Sequence, residues 1–286
     1  MTSEMQTTIE FMQDSARLAG FNNDYNKLIE DGIKAGKPTI DLPHATKPYP
    51  DGSFMLWQPK LVEQEKNPGR YNFGYTATLA QGDKEPVQQY FPSFKKTGAT
   101  LEQSKMLLQG ATVLVTDWDN KKNAKRTVFA KLDLSNHPKP GENHSVQRIN
   151  SADLDIGILY SKEKIVAKPE EKDRHLKDLQ QGRMIDVTIR DNSTGQPLFI
   201  PISLQFNLTN EGNVPKLAMN VMDADGVLLR SPSIEANQTQ TQTKGLVVGQ
   251  QDNAQLPDSL LKFLGKQQAT EETSKETHKT PRKKTA

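Results

Sequence analysis

Apolar positions recur every three to four residues early in the chain and alternate with polar ones further on. Between residues 5 and 36 the spacing of Ile9, Met12, Ala16 and Ala19, then of Tyr25, Leu28, Ile29 and Ile33, predicts two short helices. Gly20 ends the first, Asn22 and Asn23 offer an N-cap to the second, and Gly36 reads as its stop. Helices of so few turns are marginal alone, so the pair must pack on the rest of the chain. From Lys37 to Arg70 the prolines at 38, 43, 48, 50 and 59 block helix, and only Phe54 to Trp57 reads as a strand, a short one.

The middle of the chain is a series of hairpin signals. Tyr75 to Leu79 and Val87 to Phe91 flank the turn Gln81-Gly82-Asp83-Lys84. Val113 to Trp118 and Thr127 to Leu134 flank Asp119 to Asn123. Met184 to Ile189 and Leu198 to Phe206 flank Asp191 to Gly195. Leu217 to Met222 and Val227 to Arg230 flank Asp223 to Gly226. Each is an alternating or β-branched run around a Gly, Asn or Asp cluster. Ser145 to Ile149 adds a further strand, Leu154 to Tyr160 is apolar but ambiguous, and Lys168-Pro169-Glu170-Glu171 opens a helix that runs to Gln181.

Two of these hairpins read as copies. A shift of 72 residues lays 104–134 on 176–206 without a gap, with 9 of 31 positions identical. The identities include Leu107/Leu179, Gln109/Gln181, Gly110/Gly182, Val115/Val187, Asp119/Asp191 and Asn120/Asn192, which are helix-end, inward-facing and turn positions. The repeated unit is helix, glycine cap, strand, Asp-Asn turn, strand. One helix covers its sheet only in part, so the two units are expected to pack as a pair. The fold class expected is α+β: antiparallel hairpins with short covering helices, two related helix–hairpin units and a disordered C-terminal tail. The expected division is a helical pair at 1–45, a core at 46–232, and a linker, amphipathic segment and basic tail at 233–286.

Composition changes this picture in three places. Apolar residues are 34% of 286, and mean hydropathy is −0.72, which fits a packed core followed by a solvated tail. The formal charge of +2 excludes a histone-like polycation but leaves room for local patches. There is no cysteine, which excludes disulfides, thiol nucleophiles and cysteine–zinc sites. No basic, apolar leader and no run of 18 apolar residues occurs, so a cytoplasmic protein with no membrane contact is expected.

Candidate chemistry is sparse. The five histidines form no HxH, HxxxH or HExxH spacing, and no GxGxxG, GxxxxGK[ST] or GxSxG is present. The expectation is therefore no catalytic residue, no metal, no cofactor and no small-molecule ligand. Asp117 and Asp119 share a strand face, as the carboxylates of a metal-dependent nuclease would, but hairpin-end chemistry explains them more simply. Asp223 to Gly226 lacks the glycine and glutamate positions of a calcium loop.

The best positive feature is the second hairpin. Lys121, Lys122, Lys125 and Arg126 cluster at its tip beside Trp118, a combination suited to single-stranded nucleic acid: cations for phosphates, a ring for a base. The second copy carries Ser193, Thr194, Gly195 and Gln196 there, so the two tips are not equivalent. Lys279, Arg282, Lys283 and Lys284 make a second basic element, in a polar tail suited to non-specific phosphate contact. In 256–265, LPDSLLKFLG, the side chains of Leu256, Leu260, Leu261 and Leu264 share one side of a short helix that can dock in another protein's groove or fold back on its own chain.

The order of elements resembles a group of uncharacterised accessory proteins carried on conjugative and other mobile elements of Bacteroidetes-type bacteria. The resemblance spans about 17–225 and is carried by RLAGF, KLIEDGIKAGKP, YNFGYTATL, GATLEQSKMLLQG, DNKKN, FAKLDL, KPEEKDRHLKDLQQG and PLFIPISLQFN. Ala111-Thr112 and Phe129-Ala130 depart from its pattern, where a basic residue and a tryptophan-like position are expected. The resemblance implies a context, an accessory of mobile DNA, and no activity. The expected function is a non-enzymatic accessory protein that binds nucleic acid, single-stranded DNA being favoured, or the proteins that process it. The alternative is a protein–protein adaptor working through 256–265.

Overall fold

The structure is a computed structural model that describes residues 2–94, 96–135, 138–139, 142–162, 165–183, 185–190, 197–205, 216–219, 247–248, 257, 260–261 and 263. Its first elements are the two expected helices, α1 (Ser3–Ala19) and α2 (Tyr25–Lys34). Gly20 closes α1 at φ 105°, a conformation that glycine adopts without strain. The capping of α2 differs from expectation. Asp24 occupies the N-cap without capping the helix through its side chain, which instead accepts the Asn22 amide N–H while Asn22 accepts the Asp24 backbone N–H. Leu28, expected in the buried stripe of α2, is 43% exposed, while Tyr25, Ile29 and Ile33 are buried.

The proline-rich region holds far more strand than the sequence suggests. After β1 (Thr39–Asp41) and β2 (Ala45–Pro48) comes β3 (Ser53–Gln64), a long strand where only Phe54 to Trp57 was expected. Pro59 sits inside it. Its carbonyl takes the N–H of Leu42, which lies between β1 and β2. A strand residue's N–H and C=O point the same way, so the proline's missing donor faces a gap in the neighbouring strands, where no ladder bond is lost. β3 pairs antiparallel with β4 (Asn67–Gln81), which pairs with β5 (Val87–Ser93). The large sheet is ordered β2-β3-β4-β5, with the short strand Val247–Val248 beyond β2 on its far edge and β1 also on β3.

One face of this sheet carries the main core. α1, α2 and α3 (Leu101–Leu108) lie over it and bury Met55, Trp57, Leu61, Phe73 and Tyr75. Phe21, just past α1, meets Tyr25, Phe73 and Tyr75 edge-on at centroid distances of 5.4–5.9 Å, the arrangement that aromatic quadrupoles favour. The indole N–H of Trp57 donates to Ser104 Oγ at 3.0 Å, which satisfies the one polar atom of a fully buried ring. On the opposite face Gly74 leaves room for Tyr90, whose ring occupies the space a Cβ would take.

The two related units come next in the chain. In the first, α3 leads to β6 (Val113–Asp119), β7 (Ala124–Leu132) and β8 (Val146–Asn150), a three-stranded sheet. A 3-10 turn (Ser151–Asp153) and α4 (Ile156–Lys162) connect it to the second, in which α5 (Pro169–Gln180) leads to β9 (Ile185–Arg190), β10 (Pro197–Gln205) and β11 (Lys216–Met219). Register agrees with the sequence shift: Val113 pairs with Ala130 as Ile185 pairs with Ile202. Strand alternation explains how the first sheet serves two cores. Val113, Val115, Val128, Ala130 and Leu132 join the main core. Leu114, Phe129 and Ile149 face the other way and pack with Leu179, Ile185, Val187 and Ile202 of the second unit. The architecture is α+β. The fourth hairpin beyond Met219, the polar run 237–243 and the tail 266–286 lie outside the described residues.

Candidate nucleic-acid interface

The β6–β7 tip is built by its own turn chemistry. Asp119 Oδ1 accepts the backbone N–H groups of Lys121 and Lys122 at 2.9 and 3.2 Å, and Asn123 takes φ 49° to bring the chain round. The Lys122 N–H holds the Asp119 carboxyl below the usual range, helped by the Lys121 N–H and the Arg126 charge. Asp119 is thereby committed to the turn. Asp117 accepts the Trp118 N–H on one oxygen and the Arg126 guanidinium at 3.1 Å on the other, and Arg148 of β8 lies 3.8 Å from it. The two aspartates do share a face, but arginine occupies it. No group of three or more His, Asp or Glu that could hold a metal ion occurs among the described residues.

The expected cations therefore divide. Arg126 is tied to Asp117, with Asp119 at 4.0 Å. Lys121, Lys122 and Lys125 are exposed and enter no ion pair among the described residues. Antiparallel register sets Lys125 directly opposite Trp118. Trp118 is half-buried and meets Phe94 edge-on, with centroids 6.2 Å apart. Phe94 follows β5, is 43% exposed, and is held beside β6 because the Gly98 N–H bonds the Thr116 carbonyl. The tip thus carries a lysine cluster next to a two-ring aromatic edge.

Phe94 and Arg148 belong to this site, and sequence reading missed both. Each comes from a segment remote in sequence, and neither sits in a motif. Phe94 was detectable only as a large apolar side chain just past a predicted strand.

The other candidates fall elsewhere. Lys279, Arg282, Lys283, Lys284, Leu256 and Leu264 lie outside the described residues. Leu260, expected to face a partner or fold back, is fully buried in this chain against Phe54, Leu56 and Ala80 on the outer face of the large sheet, while Leu261 is 51% exposed. Among the described residues no helix is long and apolar enough to cross a membrane. No protein-family model, curated protein or solved structure matches the chain.

Proposed function

We propose that this protein is a non-enzymatic accessory of a mobile genetic element that binds single-stranded nucleic acid with little sequence choice. The observation that carries the reading is the β6–β7 tip, where Lys121, Lys122 and Lys125 stand beside the Trp118–Phe94 pair. Exposed ammonium groups displace counterions from phosphates, and an aromatic edge gives bases a surface on which to stack. Single strands suit the site better than duplex, because stacking on a side chain needs a base already out of its pair. The mobile-element context rests on the resemblance across 17–225, and the basic tail supplies a second phosphate contact.

Titration of a fluorescent oligothymidylate into the full chain at several salt concentrations tests the proposal. Replacing Lys121, Lys122 and Lys125 together by glutamine is expected to weaken binding at every salt concentration. The slope of log affinity against log salt should shrink by about 2, at roughly 0.7 per phosphate contact for single strands. Absent binding near physiological salt, or an unchanged slope in the triple variant, overturns the reading.

A further inference from the structure

Beneath the aromatic edge, between β5 and the first unit's sheet, lies a cavity of about 310 Å³. That volume falls at the lower end of the 300–1,000 Å³ typical of small-ligand sites. Its walls are mostly apolar and include Phe91, Val115 and Leu132, all buried, with Asp117 and Asn143 also lining it. Three polar side chains line it as well, each at least nine-tenths buried: Thr97, whose hydroxyl donates to the Phe94 carbonyl, and Gln89 and His144. Gln89 Oε1 accepts the His144 backbone N–H at 2.8 Å, and among the described residues its amide nitrogen reaches only the Tyr90 carbonyl, at 3.4 Å. His144 Nδ1 lies 3.2 Å from the Asp133 carbonyl. A carbonyl can only accept, so Nδ1 carries the proton, and in that tautomer Nε2 is the acceptor. The cavity therefore offers apolar walls, an amide donor and an imidazole acceptor.

Its position links it to the tip. Phe94 lines the cavity and also meets Trp118, while Arg148 lines it and also approaches Asp117. Phe94 is the side chain common to both, since Trp118 stands on the opposite face of β6 from the cavity-lining Val115 and Asp117. Arg148 is 47% exposed and only loosely paired, because Asp117 already holds Arg126 at the shorter distance. A half-exposed guanidinium of this kind suits a phosphate.

We infer that this cavity receives one nucleobase of the bound strand; the inference rests on the nucleic-acid reading above. A nucleobase has two apolar faces and an edge of donors and acceptors, which matches slot walls closed by a carboxamide and an imidazole. Arg148, which lines the cavity, takes the phosphate beside that base. The tip thus supplies affinity for the backbone, and the cavity supplies affinity for a base.

The test compares a short oligothymidylate with an abasic oligomer of the same length on the full chain, by fluorescence anisotropy. The base-bearing strand is expected to bind about tenfold tighter, in line with the stacking contribution of a base. Ala130→Leu and Ala99→Leu, each placed at a residue lining the cavity, are expected to reduce that preference and leave abasic binding unchanged. Two variants are used because Ala130 is buried and the half-buried Ala99 is the milder site. Equal affinity for the two strands overturns the cavity assignment and the stacking half of the tip reading, and spares only the contact of the tip lysines with phosphate. A preference undiminished in either folded, cavity-filled variant also overturns it and places the base on Trp118 alone. Failure of both strands to bind overturns the tip reading, and this inference with it.

Discussion

Gly110 and Gly182 close their helices in the same way. Their φ angles are 82° and 79°, and each follows a glutamine at φ −81°, ψ 0°. Each donates to the leucine carbonyl three residues back, and the next N–H reaches back five residues, from Ala111 to Met106 and from Arg183 to Asp178. This is the double-bonded glycine cap that satisfies a helix's last carbonyls. It recurs at the shift seen in the sequence, so the two units share cap, register and strand order.

The surroundings of the two glycines differ. A Cβ on Gly110 would meet only Leu134, at 3.5 Å, whereas one on Gly182 would meet the Thr112 carbonyl oxygen and Val113 at 2.9 Å. Both substitutions to alanine carry the strain of a positive φ, about 1 kcal/mol. Gly182→Ala adds overpacking between the units, about 1–3 kcal/mol more. Urea unfolding is expected to rank Gly182→Ala below Gly110→Ala. Equal losses would mean that the units do not press together at Gly182.

Leu260 docks in a small apolar site of its own, against Phe54, Leu56 and Ala80. Burying a leucine is worth roughly 1.5–3 kcal/mol, so Leu260→Ala is expected to lower stability by about 1–3 kcal/mol and to speed protease cleavage between 249 and 266. Leu261→Ala, at an exposed neighbour, serves as the control and should change neither. If both variants behave like the parent, the segment does not rest on this sheet.

Asp51 gives stability a defined acid limit. Burial raises its carboxyl, but the Ser53 hydroxyl and N–H and the Lys105 ammonium at 3.3 Å outweigh that, and the net shift is downward. A carboxyl whose pKa is lower in the folded state stabilises above its unfolded value of about 3.9, and the stabilisation disappears as pH falls through the folded value. The difference in Tm between the parent and Asp51→Asn should therefore be constant from pH 5 to pH 8 and narrow below about pH 4. A difference that persists unchanged into strong acid would show that the charge is not the cause.

The legible part of the fold was local. Ile9, Met12, Ala16 and Ala19 mark their helix because burial of one face imposes a repeat, and the Asp119 turn is legible because its side chain bonds its own backbone. Pro59 misled the reading because proline's effect in a strand depends on what lies beside the missing N–H, and that neighbour is remote in sequence. At the candidate site, Trp118, the three lysines and Arg126 were visible as a cluster of residue types. That Arg126 is spent on Asp117 was visible only as strand register.

The sequence by itself determined the glycine stops at Gly20, Gly110 and Gly182, the Asp119 turn and the correspondence of the two units, though not the start of α2, since each arises from interactions within a few residues or from repetition along the chain. Tertiary structure decided which surfaces meet: Phe94 on Trp118, Arg148 beside Asp117, Leu260 on the large sheet, and the cavity between β5 and the first unit. Hydrophobic burial is non-directional and rewards any apolar contact, so the choice among partners belongs to the packed whole and leaves no mark at the individual positions.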